Sequence, residues 1–161
     1  IYTNGYLFKE KEGLRKLKMH AVEDANINVA YYRKLTQGFD VENEDGITID
    51  NNSVTKPSAN PKSYAFCSDT MYKEDIVPII KNADVLYHES TFLDQHSYLA
   101  VKTKHATAKE AASIAKQADV GTLILGHYST RYGSIEPFKI EARTVFENVE
   151  LAEDGKTFDF N

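Results

Sequence analysis

The sequence predicts an α/β fold in which a β-sheet is flanked by helices. Three short apolar runs carry this prediction, and each has the length of a buried strand: Tyr64–Cys67, Val85–Tyr87 and Thr122–Gly126. An alanine-rich segment between the last two runs has the composition of a helix. Parallel strands need crossover connections of this kind, so the runs are expected to form neighbouring parallel strands.

The first third of the chain has a less regular pattern. Tyr2–Lys9 alternates loosely and predicts a strand, whereas Leu14–His20 is too short to assign. Apolar residues recur at every fourth position in Asp24–Gln37 and predict a helix that ends at Gly38. Short strands are predicted at Phe39–Val41 and Ile47–Ile49.

The rest of the chain is more regular. A helix is predicted over Glu74–Lys81, with Pro78 placed near its start, where proline costs least. Thr107 and Glu110 have the spacing of a capping box at the start of the helix Ala108–Gln117. The other predictions are a loop through Asp94–His96, a helix from Pro137 to Glu147, and strands Val149–Ala152 and Thr157–Phe160.

Composition narrows the class of protein. The chain has 161 residues, 42% of them hydrophobic, and its apolar runs are too short to span a membrane. Its only cysteine, Cys67, excludes an internal disulfide and fits the reducing cytoplasm. The net charge is −5, although residues 1–38 carry +3. A basic end of this kind is compatible with an arm that binds phosphate groups, but on charge alone a solvated surface is the favoured interpretation.

Residues that ionise or bind metals follow each apolar run. Asp69 follows the first run, His88 and Glu89 the second, and His127 the third, while His105 precedes the alanine-rich helix. The carboxyl ends of parallel strands meet at one edge of a sheet, so these residues are expected to share a neighbourhood. Taken singly, each has a simpler interpretation, since an aspartate after a strand is often a helix cap and a strand-end histidine is often packed or exposed.

Four motifs occur in a fixed order: SDT at Ser68–Thr70, HEST at His88–Thr91, KHATAKEAA at Lys104–Ala112 and GHYSTRY at Gly126–Tyr132. Their order and spacing resemble the C-terminal half of ribonuclease Z, the tRNA 3′-end processing endonuclease of the metallo-β-lactamase fold. The resemblance implies an α/β fold that is the C-terminal half of an αββα sandwich. Residues 63–161 would be the catalytic half, and residues 1–62 a variable segment at the position of the tRNA-binding arm, without the arm's usual Gly- and Pro-rich motif.

The resemblance also implies roles for individual residues. Asp69 and His127 would be metal ligands, with two Zn²⁺ ions in a complete active site. Glu89 and His105 would be the pair that handles protons. Ser129 and Arg131 are candidates for binding substrate phosphate. The remaining histidines have no such role: His88 is interpreted as structural, and His20 and His96 as surface residues.

The expected upstream ligands are missing. A complete site of this family needs a His-x-His-x-Asp-His run, and no two histidines of the chain have the H-x-H spacing. We therefore expect the chain to be part of a longer protein, inactive alone, with zinc absent or partial. The expected partners are precursor tRNA and a second copy of the chain, with no membrane. Two alternatives stay open, namely another hydrolase of the same fold, such as a phosphodiesterase, and a metal-free binding or structural domain.

Overall fold

The computed structural model describes residues 2–159, which divide into two compact units. Residues up to Lys9 and from Lys62 onward belong to the larger unit, and Glu10–Pro61 form the smaller one. Within the described residues, no helix has the length and apolar character needed to cross a bilayer. The strands are β1 Tyr6–Lys9, β2 Lys16–Leu17, β3 Val41–Glu42, β4 Thr48–Ile49, β5 Thr55–Lys56, β6 Ser63–Cys67, β7 Val85–Glu89, β8 Thr122–Gly126 and β9 Val149–Leu151. The α-helices are α1 Met19–Asp24, α2 Tyr32–Thr36, α3 Asn51–Val54, α4 Ser97–Thr103, α5 Ala108–Gln117 and α6 Glu136–Arg143.

The larger unit is built on a five-stranded sheet with the strand order β1-β6-β7-β8-β9. β1 runs antiparallel to β6, and all the other neighbours are parallel. The three predicted apolar runs are the central strands β6, β7 and β8. The α/β fold with flanking helices is therefore confirmed, and the carboxyl ends of β6 to β9 lie at the same edge of the sheet.

One face of this sheet packs against helices α5 and α6. Helix α5 begins with the predicted capping box, in which Thr107 Oγ1 accepts the N–H of Glu110 and the Glu110 carboxylate accepts the N–H of Thr107. The side of α5 that faces the core consists of wholly buried alanines and Ile114, and the alanines allow close approach to β7 and β8. Phe138 of α6 is also wholly buried, and burial of a side chain of this size stabilises the unit by about 1.5–3 kcal/mol.

The opposite face of the sheet is aromatic. We define the aromatic face as Tyr6, Phe8, Tyr64, Phe66 and Tyr87, which point to one side by the register of β1, β6 and β7. The rings of Phe8 and Tyr64 are stacked with centroids 6.1 Å apart, and those of Phe66 and Tyr87 with centroids 4.8 Å apart. Tyr6 and Phe8 keep 55% and 57% of their surface exposed, so this face is only partly covered within the unit.

Gly126, the last residue of β8, lies directly against the ring of Tyr87. A Cβ at position 126 would fall 2.6 Å from Tyr87 Cε2, closer than real Cβ contacts come. Glycine is therefore required here because a neighbouring side chain fills the space. Gly126 immediately precedes His127 in the chain.

The smaller unit has its own core, formed by Val22, Ile27, Leu35, Val41 and Val54. The helix predicted over Asp24–Gln37 is wrong as a single element. α1 ends at Asp24, a 3₁₀ turn occupies Val29–Tyr31, and α2 follows. Asn26 has a left-handed φ of 53° and Asn28 is extended, so the helical path is broken twice. Gly38 ends α2 with a φ of 92°, as predicted.

Other predicted boundaries in the larger unit also change. The helix predicted over Glu74–Lys81 is only a 3₁₀ turn at Glu74–Ile76 followed by turns, because Pro78 lacks the N–H that a continuing helix would need. The predicted loop at Asp94–His96 is a 3₁₀ turn, and it is followed by α4, which the sequence analysis missed. The final helix ends at Arg143 rather than Glu147. No strand forms over residues 157–159, and Phe160 lies outside the described residues.

Candidate metal and acid–base site

The loops that follow β6, β7 and β8 bring three of the predicted site residues to one edge of the sheet. Asp69 lies just after β6, Glu89 ends β7, and His127 follows β8. His105 lies two residues before the N-cap of α5 and reaches the same place. The structure therefore brings together four of the five residues that the sequence placed in one neighbourhood, while the fifth, His88, lies on the other side of the sheet.

Asp69 and His127 face each other, with His127 Nε2 3.1 Å from Asp69 Oδ1. Both residues have left-handed backbone conformations, with φ of 51° and 59° respectively. Such conformations are uncommon outside glycine, cost free energy and cluster at functional sites. The side chains remain accessible, with 56% of Asp69 and 39% of His127 exposed. The left-handed backbone, the accessible side chains and the short distance between them are features expected of a ligand site.

Glu89 is wholly buried, and its carboxylate is the centre of a hydrogen-bond network. Oε1 accepts the backbone N–H of Thr70 at 2.7 Å, and Oε2 accepts that of Ala106 at 3.1 Å. Thr91 adds its own N–H at 3.3 Å and its hydroxyl at 2.6 Å, both to Oε2. An isolated buried carboxylate is costly, and here these donors compensate for the lost water. Glu89 thus ties the loops after β6 and β7 to the start of α5.

His105 completes the network, since its Nδ1 lies 2.8 Å from Glu89 Oε1. The backbone N–H of His105 donates to Ala100 O, and the preceding Lys104 ends α4 with a left-handed φ of 61°. The ring centroid of His105 is 5.2 Å from that of His127. With Nδ1 held by Glu89, Nε2 is the ring nitrogen of His105 that remains for other chemistry.

The donor set of this site fits a zinc ion. Asp69, His105 and His127 each offer a ligand atom, and these atoms lie within 4.8 Å of one another. Imidazole nitrogen and carboxylate oxygen are preferred zinc ligands, with bond lengths of about 2.0–2.2 Å. Two atoms 3.1 Å apart, like those of Asp69 and His127, can therefore bind the same ion. The set is smaller than the four ligands of a closed zinc site.

The predicted phosphate-binding residues lie in the loop after His127. The N–H of Ser129 donates to Thr91 O at 3.1 Å, which fixes this loop to the end of β7. The N–H of Arg131 donates to Ser129 Oγ at 3.3 Å, and the Arg131 side chain is exposed. The structure thus places Ser129 beside the site, while the role of both residues stays a prediction.

The other histidines differ from one another. His20 is exposed, as predicted. His96 is half-buried, with Nδ1 2.7 Å from the hydroxyl oxygen of Tyr132, so it is not the unpartnered surface residue that was expected. His88 is wholly buried on the helix side of the sheet, with Nδ1 2.7 Å from the carbonyl of Glu89. Nε2 of His88 has no hydrogen-bond partner among the described residues.

The sequence analysis missed two residues at the site. Thr91 contacts both Glu89 and His127, and its position two residues after Glu89 was the signal that it shares the same side of the chain. The second is Tyr87, which lies two residues before Glu89 in β7 and therefore points to the same face of the sheet. Burial, and then the negative charges of Glu89 and Asp69, raise the pKa of the Tyr87 phenol.

Comparison with known proteins gives a consistent result. No protein-family model matches the chain. It is 43% identical over 159 residues to ribonuclease Z of Cytophaga hutchinsonii, covering 98% of the chain and 50% of that protein. It is also 43% identical over 155 residues to ribonuclease Z of Porphyromonas gingivalis, covering 96% of the chain and 51% of that protein. Among solved structures, the metallo-β-lactamase fold protein YhfI from Bacillus subtilis matches with a TM-score of 0.57 and 29% identity, covering 61% of the chain and 40% of that protein.

The chain spans about half the length of the curated relatives it matches. The resemblance expected from the four motifs is confirmed, and the fold class is confirmed by the solved structure as well as by the sheet. The chain is therefore a homologue of the ribonuclease Z proteins and shares the metallo-β-lactamase fold.

Proposed function

We propose that the chain supplies part of the active site of a metal-dependent endoribonuclease that hydrolyses precursor tRNA at its 3′ end. The observation that carries the proposal is the meeting of Asp69 and His127 with the Glu89–His105 pair at one sheet edge. The homology to proteins named ribonuclease Z supports the same reaction. Two kinds of chemistry, metal binding and proton transfer, are thereby available within a few ångströms.

Asp69 and His127 are the proposed ligands of zinc, of which a complete site would hold two ions. Zinc, when bound, supplies Lewis-acid stabilisation of phosphoryl charge and activation of a water nucleophile. Asp69 would hold the metal through its carboxylate oxygens, which lie beside His127. His127 would bind through Nε2, the ring nitrogen that faces Asp69.

His105 is proposed to protonate the departing ribose 3′-oxygen. Its Nδ1–H donates to Glu89, which fixes the orientation of the ring. The proton available for transfer is then the one on Nε2. Ser129 and Arg131 are proposed to bind phosphate oxygens beside the site; a guanidinium can do so through two parallel hydrogen bonds.

The chain alone is proposed to be inactive and to bind zinc weakly. A zinc site normally takes three or four protein ligands, whereas Asp69 and His127 supply two. Even if His105 joined them, the second ion would lack most of its ligands. Titration of the purified chain with Zn²⁺ by calorimetry should therefore show weak binding that the His127→Gln variant removes.

A chimera tests the proposed activity. The chain would replace the matching half of Porphyromonas gingivalis ribonuclease Z, over which the two are 43% identical. It would be joined to the other half of that protein. We expect zinc-dependent cleavage of a precursor tRNA at its 3′ side, and loss of cleavage in the Asp69→Ala chimera. The intact relative, cut and rejoined at the same point, is the control that the junction is tolerated.

The same chimera separates the two alternatives. Hydrolysis of a simple phosphodiester such as bis-p-nitrophenyl phosphate, without cleavage of precursor tRNA, would favour another hydrolase of this fold. Failure of both the chain and the chimera to bind Zn²⁺ would favour a metal-free binding or structural domain. Either result would overturn the proposed reaction.

The aromatic face supports a further proposal, that the isolated chain forms a homodimer. Partly exposed apolar surfaces of this kind seek partners, and Tyr6 and Phe8 are more than half exposed. A cytoplasmic location is also proposed, because Cys67, the only cysteine, is buried and unpaired.

A further inference from the structure

The hydroxyl group of Thr91 lies between the metal-binding part of the site and the acid–base pair. Thr91 Oγ1 is 2.6 Å from Glu89 Oε2 and 2.8 Å from His127 Nδ1. The Thr91 side chain is buried, its contact with Glu89 is buried, and its contact with His127 is partly buried. The hydroxyl group therefore makes one hydrogen bond to each neighbour.

Counting protons sets the direction of these two bonds. A threonine hydroxyl has one proton to donate, and an ionised carboxylate can only accept. Both oxygens of Glu89 already act as acceptors, of the backbone N–H of Thr70 on Oε1 and of that of Ala106 on Oε2. Thr91 must then donate its proton to Glu89 and accept one from His127 Nδ1.

We propose that Thr91 is a positioning residue that fixes His127 as the Nδ1–H tautomer and so presents the lone pair of Nε2 to the metal. The ligand role of His127 rests on the proposed function, whereas the tautomer does not. Ligating histidines commonly donate their other ring N–H to a fixed acceptor, which sets the tautomer and the ring orientation. In this chain the acceptor is a side-chain hydroxyl.

The contact of Thr91 with Nδ1 of His127 acts against the contact of Asp69 with Nε2 of the same ring. Asp69 Oδ1 lies 3.1 Å from His127 Nε2 and would favour a proton on that nitrogen. A proton on Nε2 would block metal binding until it was displaced. By accepting the proton of Nδ1, Thr91 biases neutral His127 toward the tautomer that can bind metal.

The hydroxyl group also makes the site one continuous chain of hydrogen bonds. His127 donates to Thr91, Thr91 donates to Glu89, and His105 donates to the same carboxylate. Thr91 therefore fixes the position of the proposed ligand His127 relative to the Glu89–His105 pair. Movement of either histidine would break a partly buried hydrogen bond.

The tautomer can be measured on the chain itself. The chain would be labelled with ¹⁵N-histidine and studied by long-range ¹H–¹⁵N correlation at a pH where imidazole is neutral, with the His127 signals assigned from a His127→Gln variant. We expect a protonated Nδ1 and an unprotonated Nε2 for His127 in the wild-type chain. Thr91→Val keeps the shape but removes the hydroxyl, and should move the proton to Nε2. Thr91→Ser should restore the wild-type pattern.

A matched control and a second readout complete the test. Thr144→Val removes a hydroxyl that donates to Glu141 O at an exposed helix end, and should leave the His127 spectrum unchanged. The dissociation constant for Zn²⁺ should rise about 10–100-fold in Thr91→Val, the range typical for partners of metal ligands, and recover in Thr91→Ser.

An unprotonated Nδ1 on His127 in the wild-type chain would overturn the proposal. So would a Thr91→Val spectrum identical to that of the wild type. If Thr91→Val failed to fold, as judged by circular dichroism, the wild-type spectrum would still decide the tautomer, and Thr91→Ser would still report on the hydroxyl. An inactive chimera with a protonated Nδ1 would refute the proposed reaction and leave this inference standing.

Discussion

His105 and Glu89 form a hydrogen-bonded pair in which only the histidine meets solvent. Nδ1 and Oε1 are 2.8 Å apart, the carboxylate is completely buried, and 24% of the histidine side chain is exposed. The backbone N–H groups of Thr70 and Ala106 hold the carboxylate in place. The imidazole is thus anchored on one side and accessible on the other, which is the geometry a proton donor needs.

Replacing His105 by alanine in the chimera should slow the chemical step and leave zinc bound. General acid–base assistance is typically worth about 10²–10⁴-fold, and the loss is expected in that range. Asp69→Ala should instead release zinc. Single-turnover rates and elemental analysis measure the two effects, with exposed His20→Ala as the control. Because His105 lies within ligand distance of His127, loss of zinc from the His105→Ala variant would show that it is a ligand.

Replacing Glu89 by glutamine should destabilise the folded chain. The carboxylate accepts three backbone N–H groups, one hydroxyl and one imidazole N–H. An amide nitrogen in place of one oxygen would face these donors with hydrogens of its own. Each buried donor left without an acceptor costs about 1–3 kcal/mol.

Urea denaturation of the isolated chain would measure this loss as a lower free energy of unfolding. Glu147→Gln, at an exposed position, is the matched control and should change stability by less than about 0.5 kcal/mol. Equal unfolding midpoints for the Glu89→Gln variant and the wild type would contradict the network described here.

His88 should make the stability of the chain depend on pH. Burial lowers its pKa below the usual 6.5, although the Glu89 carbonyl and the charges of Glu89 and Glu110 act in the opposite direction. Below pH 6.5 the unfolded chain therefore takes up a proton that the folded chain does not. The free energy of unfolding should then fall as the pH falls, by up to about 1.4 kcal/mol per pH unit for this one group, while the contribution is complete above that pH.

Denaturation curves recorded at several pH values would test this dependence. In the His88→Asn variant, whose amide can still donate to the Glu89 carbonyl, the fall in stability should be shallower than in the wild type. His20→Asn removes an exposed histidine and should leave the slope unchanged. Parallel curves for the wild type and the His88→Asn variant would show that His88 accepts its proton as readily when folded.

Self-association of the isolated chain should depend on the aromatic face. Replacing Phe8 by lysine places a charge among the stacked rings and should shift light-scattering mass toward the monomer at a given concentration. Tyr98, which is 65% exposed on α4, gives the matched control Tyr98→Lys. A wild-type chain that stays monomeric at all accessible concentrations would refute the proposed dimer.

The larger unit could be predicted from sequence because its signals were local and agreed with one another. The apolar runs gave β6, β7 and β8, and the Thr107–Glu110 spacing gave the start of α5. Strand ends that carried ionisable residues gave the site, since parallel strands must bring those ends together. Asp69, Glu89 and His127 followed from that rule.

Other features depended on contacts that no local pattern contains. The helix expected across Asp24–Gln37 is broken by the left-handed Asn26, although the apolar spacing continues through it. Proline is tolerated in the first turn of a helix and breaks a helix further in, so the effect of Pro78 depended on where the helix began. Hydrophobic periodicity locates the start of a helix poorly. Thr91 could be placed beside Glu89 from spacing, but its contact with His127 depends on the approach of β8 to β7.

The contact between Tyr87 and Gly126 limits how the two positions can diverge during evolution. An alanine at 126 would collide with the ring of Tyr87, so either the ring must shift or a smaller residue must already stand at 87. The order in which these two sites change therefore matters. Among homologues we expect alanine at the position of 126 only where a small residue replaces the tyrosine. Whether β8 tolerates a side chain at 126 therefore depends on which residue β7 has at 87.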